Sequence, residues 1–196
     1  MKPEAMGAGD DVFFWDARRT ALGLVSRFDM EIFPLVVLVA AALCGLVAGL
    51  LFTFAVVTMP GLENLGDREF IRAFQVMDGV IQNRQPLFVL VWVGSVVAVL
   101  VALAMGFQQP DGVVRGLLIA AAALYLLGVQ LPTGRVHIPL NNEIQSVDVE
   151  AIGEAERKQA RERFEGRWNR SNRIRTAIAV VTMVLLLVVL LRLPAG

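Results

Sequence analysis

The sequence predicts an all-α integral membrane protein. The expected architecture is a four-helix bundle with an amphipathic helix in the first long loop and a fourth helix that runs on beyond the membrane. Two observations carry this. Hydrophobic residues make up 56% of the 196 residues and charged residues 18%, with a mean hydropathy of +0.63, whereas a soluble domain is roughly a quarter charged. The apolar residues also gather into four blocks free of Asp, Glu, Lys and Arg. None of the four shows the polar face that a soluble helix repeats every third or fourth residue.

Taken in order, residues 1–31 form an N-terminal extension, and 32–196 are read as a single transmembrane domain. Phe14, Ala17, Ala21, Leu24 and Phe28 fall on one face of an interfacial helix over 11–29. Six acids precede the first long apolar run, which is too late and too long for a secretory signal. The first span covers about 32–59, and Pro60 and Gly61 are expected to break it. Asp67 is expected to cap the amphipathic helix that follows. The second span covers about 86–107 and opens on Pro86, where a helix tolerates proline. The third covers about 114–132 and is expected to stop at Pro132 and Gly134, leaving irregular backbone through Glu143. From about Val149 a charged helix is expected to run without a break into the fourth span, about 174–192. Crossing roughly 30 Å of hydrocarbon takes about 20 residues, so the last two spans borrow Thr133 or Ile174 and let Arg135, Arg175 and Arg192 snorkel.

Small residues repeat every fourth position at Ala41, Gly45, Gly49 and Thr53, and again at Gly94, Ala98, Ala102 and Gly106. In lipid, helices associate through such close approach, either within one bundle or in a homo-oligomer or with a protein partner. Eighteen Lys+Arg balance eighteen Asp+Glu, so nothing points to nucleic acid, and membrane lipids are the expected surroundings. Twelve of the basic residues lie in the 60–85 and 132–175 loops. The positive-inside rule then puts these loops in the cytoplasm and both termini outside, in a multi-pass protein of the plasma membrane. One cysteine and one histidine leave no Cys/His metal cluster, and no cofactor motif is present.

The polar chemistry sits in those two loops. Phe70, Phe74, Met77 and Ile81 make an apolar stripe, and Gln75, Asp78 and Gln82 a polar one, which faces either water or the mouth of the bundle. Arg161, Glu165, Trp168, Asn172 and Arg175 share a face of the last helix. Arg175 is read either as a headgroup anchor or as a donor to Asn141, Asn142 or a carboxylate inside the bundle. Trp168 fits an aromatic belt or a shared polar pocket. His137 is either structural or a base beside the asparagine pair.

Two sets of motifs resemble the anthrone-oxygenase-like family of small four-helix membrane proteins. The first set is Thr58-Met59-Pro60-Gly61-Leu62, Glu69-Phe70 to Phe74-Gln75 and Val80-Ile81-Gln82-Asn83. The second is Ile138-Pro139-Leu140-Asn141-Asn142, Phe164, Trp168-Asn169, Asn172 and Arg175-Thr176. The likeness covers about Leu46 to Ala179. Asp78 stands where an asparagine is expected, His137 where relatives often carry an amide, and the N-terminal extension is longer than expected. Some relatives are assigned to oxidise anthrones to anthraquinones without an evident metal or flavin, and most have no assigned activity.

The resemblance implies an oxygenase acting on a lipophilic phenolic or polycyclic compound. Such chemistry needs an ionised substrate, a base, anion-stabilising donors and a dry pocket. The residues offered for it are Asp78 or His137 as base, with Arg175, Asn141, Asn142 and Asn172 as donors. Phe74, Gln75 and Trp168 are offered as the wall of an aromatic site. The competing readings are a non-catalytic module, binding a lipid or quinone-like ligand or serving as an accessory subunit, and a small carrier. A carrier would show internal repeats or broken helices, and none is clear.

Overall fold

The computed structural model describes residues 32–193, so the interfacial helix expected over 11–29 lies outside it. Within that range the chain is all-α, in five helices: α1 (Ile32–Glu63), α2 (Asp67–Gln82), α3 (Pro86–Gly106), α4 (Gly112–Gln145) and α5 (Glu154–Arg192). All but α2 are long and apolar enough to cross a membrane.

Two breaks read from the sequence are absent. α1 runs through Pro60 and Gly61 to Glu63, and α4 runs through Pro132, Gly134 and Pro139 to Gln145. The expected irregular stretch after Pro132 is therefore helical. Each proline is preceded, two residues earlier, by the end of a π-helical turn: Phe54–Thr58, Leu124–Gln130 and Thr133–His137. A proline lacks an N–H and its ring collides with the carbonyl four residues back. Here that carbonyl belongs to Val56, Gly128 or Arg135, each inside the wider turn, where the i→i−5 pattern leaves room for the ring.

Helix starts also shift. Gly66, not Asp67, is the N-cap of α2, and Asp67 sits in the first turn, where a carboxylate favours the helix dipole. α5 starts at Glu154 rather than near Val149, with the Glu156 carboxylate accepting from Gly153 N–H at 2.9 Å. Asp111 caps α4 by accepting from Val113 N–H at 2.8 Å.

The apolar core has two parts. At the level of the charge-free spans, α1, α3, α4 and α5 enclose Val37, Cys44, Val99, Leu118, Tyr125 and Leu186. Ser95 and Tyr125 hydroxyls pair at 2.6 Å across α3 and α4, and Trp92 Nε1 donates to Gln130 Oε1 at 3.0 Å beside them. Part of the small-residue pattern serves these contacts. A Cβ on Gly45 would meet the Met183 sulfur at 3.1 Å, and one on Gly106 would collide with the Leu118 side chain. Gly94 and Ala98 instead line an open apolar groove of about 700 Å³ between α1 and α3.

The second cluster sits beyond the spans, where α2 packs on the ends of α4 and α5. Phe70, Ile71, Phe74, Ile144, Phe164 and Trp168 fill it. This aromatic end is where the polar residues of both loops converge.

Candidate functional site

The face of α5 that the sequence singles out does turn inward: Trp168, Asn172 and Arg175 are all buried. Arg161, one turn before Glu165, pairs with that carboxylate at 2.7 Å and with Asp67 at 3.1 Å, fastening α5 to the start of α2. Seven residues separate Trp168 from Arg175, a rise of about 10 Å. The face therefore presents two layers.

The upper layer is joinery between α2, α4 and α5. The Asp78 carboxylate is buried and accepts three amide donors: Asn141 Nδ2 at 2.7 Å, Gln82 Nε2 at 2.7 Å and Gln145 Nε2 at 3.1 Å. Asn141 Oδ1 accepts in turn from Trp168 Nε1 at 2.9 Å. Gln75 Nε2 donates to the carbonyls of Ile144 and Val147, both at 2.9 Å. The polar stripe of α2 thus faces the end of α4 rather than water, where Gln75 satisfies one carbonyl of that helix's last turn and one just past it. Asn142 stays exposed and meets only Gln82, at 3.4 Å. The Trp168 ring is packed round by Phe54, Phe74, Phe164 and His137 at centroid distances of 5.5, 5.8, 6.1 and 5.0 Å. Phe74 and Trp168 are both buried and pack edge to face against each other.

The lower layer is different. Arg175 is 6% exposed and its guanidinium has no carboxylate partner among the described residues. Nε and one terminal nitrogen donate to Asn172 Oδ1 at 3.2 and 3.0 Å, and the other terminal nitrogen donates to Thr133 Oγ1 at 2.8 Å. Asn172 is fixed by donating Nδ2 to the Leu51 carbonyl of α1 at 3.0 Å. The partners expected from sequence, Asn141, Asn142 or an acid, are not the ones found. Asn141 is level with Trp168, a turn and more away, and is already engaged.

His137 is 2% exposed. Its Nε2 lies 2.9 Å from Ser171 Oγ, and its Nδ1 is buried without a hydrogen-bond partner. Thr133 and His137 open and close the same π turn. That turn sets which faces of α4 meet α5, in keeping with the frequent association of π turns with functional sites. Ser171 and Thr133 were missed from the sequence. Ser171 did carry a signal, three residues after Trp168 and four before Arg175, one helical edge over from the residues chosen.

Ser171 and Arg175 also line an open groove of about 410 Å³ between α4 and α5. Gly128, Pro132 and Val136 form its α4 side, and Ile174, Arg167 and Arg170 complete the α5 side. A second groove, about 500 Å³, lies between α1 and α5 and is bordered by Glu63, Glu162, Glu165 and Arg173. Of the residues offered from sequence as base, donor or aromatic wall, Arg175 alone lines either groove, and His137 reaches the first through Ser171.

Comparison with protein families matches residues 77–185 to the anthrone oxygenase family. Comparisons with curated proteins and with solved structures return no match. The matched stretch is more than half of the chain and contains Asp78, His137, Asn141, Asn142, Trp168, Asn172 and Arg175, while Phe74 and Gln75 precede it. The chain belongs to the anthrone oxygenase family.

Proposed function

We propose that this membrane protein oxidises a lipophilic phenolic compound of the anthrone type with O₂, in the groove between α4 and α5. The observation that carries the reading is Arg175, a buried guanidinium supplied with amide and hydroxyl oxygens but with no carboxylate among the described residues. A guanidinium has five N–H donors and makes three hydrogen bonds here, which leaves capacity for an oxyanion. A buried charge without a counter-ion is costly, and a bound anion offsets that cost.

The reaction follows from these parts. Loss of a proton from the anthrone gives its enolate, whose oxygen Arg175 stabilises. The Ser171–His137 pair supports the role of base, with Ser171 at the groove and the imidazole nitrogen behind it. The enolate electrons reduce O₂, and a carbon–oxygen bond forms to give a peroxide that takes back the proton. Loss of the remaining hydrogen on that carbon, with cleavage of the O–O bond, leaves the new carbonyl and water. One anthrone and one O₂ become one anthraquinone and one water.

Asp78 is assigned to positioning rather than to the base, since three amides already occupy its oxygens. That same saturated network favours, as a second reading, a module that binds a quinone-like ligand without turnover. Purified protein in lipid nanodiscs separates the two. Oxygen consumption and quinone absorbance with unsubstituted anthrone should exceed the uncatalysed rate, and Arg175→Gln should lower kcat by about 10²–10³-fold, the usual loss of an oxyanion donor. Equal rates with and without protein would leave binding alone.

A further inference from the structure

We infer that the second groove, between α1 and α5, holds the headgroup of a phospholipid bearing a primary ammonium. Its phosphate lies at Arg173 and its ammonium among Asn169, Glu162 and Glu63. This site is separate from the groove proposed for oxidation. What marks it is an oxygen. Three buried side-chain atoms, on Gln130, His137 and Asn169, have no hydrogen-bond partner among the described residues. Of these, Asn169 Oδ1 alone belongs to a residue bordering a groove. A buried acceptor without a donor is costly, so this position calls for a donor from outside the chain.

The charges around that oxygen are ordered along the bundle. α5 enters its apolar span just after Arg173, and Asn169, Glu165 and Glu162 lie beyond it at rises of about 6, 12 and 17 Å from Arg173. On α1, Ala55 and Met59 belong to the charge-free block and Glu63 ends the helix. The groove is therefore apolar at its membrane end, then cationic, then acidic. A phospholipid with an ammonium runs chain, phosphate, ammonium in the same direction, with the complementary charge at each step. Glu165 is occupied by Arg161 at 2.7 Å, whereas Glu63 and Glu162 are exposed and outside every ion pair among the described residues. A primary ammonium has three N–H donors, which suit one amide oxygen and two carboxylates, and a quaternary choline has none. A headgroup with a phosphate alone would meet Arg173 but face two acids. The volume of about 500 Å³ lies within the roughly 300–1,000 Å³ typical of small-molecule sites.

The test uses the full chain in nonionic detergent and reads lipid binding by native mass spectrometry. The probes are phosphatidylethanolamine, its N-methyl and N,N-dimethyl derivatives, phosphatidylcholine and phosphatidylglycerol, all with the same chains. Affinity should fall as methyl groups replace N–H, by about tenfold or more from ethanolamine to choline. A Glu63→Gln/Glu162→Gln double variant with unchanged thermal unfolding should lose that preference, and Arg173→Gln should weaken the ethanolamine and choline lipids alike. Equal affinities across the methylation series, which needs no variant, would overturn the inference, as would a preference that survives the double variant. Phosphatidylglycerol binding as tightly as the ethanolamine lipid would also overturn it, leaving a phosphate contact alone. So would displacement of the bound lipid by an equal concentration of glycerophosphoethanolamine, which would make the occupant a soluble amine rather than a lipid.

Discussion

Arg175 carries a positive charge held by an amide oxygen and a hydroxyl, with the Trp168 ring 5.9 Å from it and no carboxylate among the described residues. If its task is to meet an anion, supplying one from the protein should abolish that task without dismantling the fold. Thr133→Asp does this, because Thr133 Oγ1 already receives the guanidinium at 2.8 Å and its only other bond is local, to the Val129 carbonyl. The expected outcome is turnover lowered by about 10²-fold, comparable to loss of an oxyanion donor, with the thermal unfolding temperature held level. Full turnover in Thr133→Asp would remove Arg175 from the reaction. At this scale the sequence showed which residues of α5 share a face, since spacing of three, four and seven is fixed by helix geometry. It did not show their partners. Thr133 and Ser171 are ordinary polar residues in helices, and their roles arise from which turn of α4 faces which turn of α5.

Helix boundaries were less legible than helix faces, and proline is the reason. Pro60, Pro132 and Pro139 are strong stop signals in an ordinary α-helix. Each is absorbed here by a preceding π turn, and a wider turn leaves no mark in hydropathy. The second π turn also brings α4 close to α5 at Gly128, where an added Cβ would lie 2.7 Å from Ile178 Cγ2 and 2.8 Å from its Cδ1. The β-branched Ile178 has little rotamer freedom with which to give way. Gly128→Ala should therefore cost about 1–3 kcal/mol through overpacking. Ile178→Ala in the same chain should recover part of that loss, with a coupling of about 0.5–3 kcal/mol between contacting sites. Unfolding of the four species in detergent measures this cycle. Strict additivity would mean that the two helices do not meet closely at this level.

The whole molecule is polarised along the bundle. The charge-free spans hold one apolar core, and the aromatic cluster, the Asp78 network and the α4–α5 groove lie beyond or at one edge of it. That polarity was legible from charge alone, because twelve of eighteen basic residues fall in the two loops that form this end. The same asymmetry predicts which side of the membrane holds the site. Positive residues in short loops are retained in the cytoplasm, so the α2 and α4–α5 end should face inward and the short link between α3 and α4 outward. Several of those arginines are drawn into ion pairs or into the groove, but they are synthesised charged and act on topology before the bundle closes. Cysteine labelling in intact cells decides the matter, because the native Cys44 is buried and silent. A cysteine introduced at Gln108, exposed in the α3–α4 link, should react with a membrane-impermeant maleimide from outside. One at Asp148, exposed between α4 and α5, should react only after permeabilisation. The reverse pattern would place the groove on the outer face.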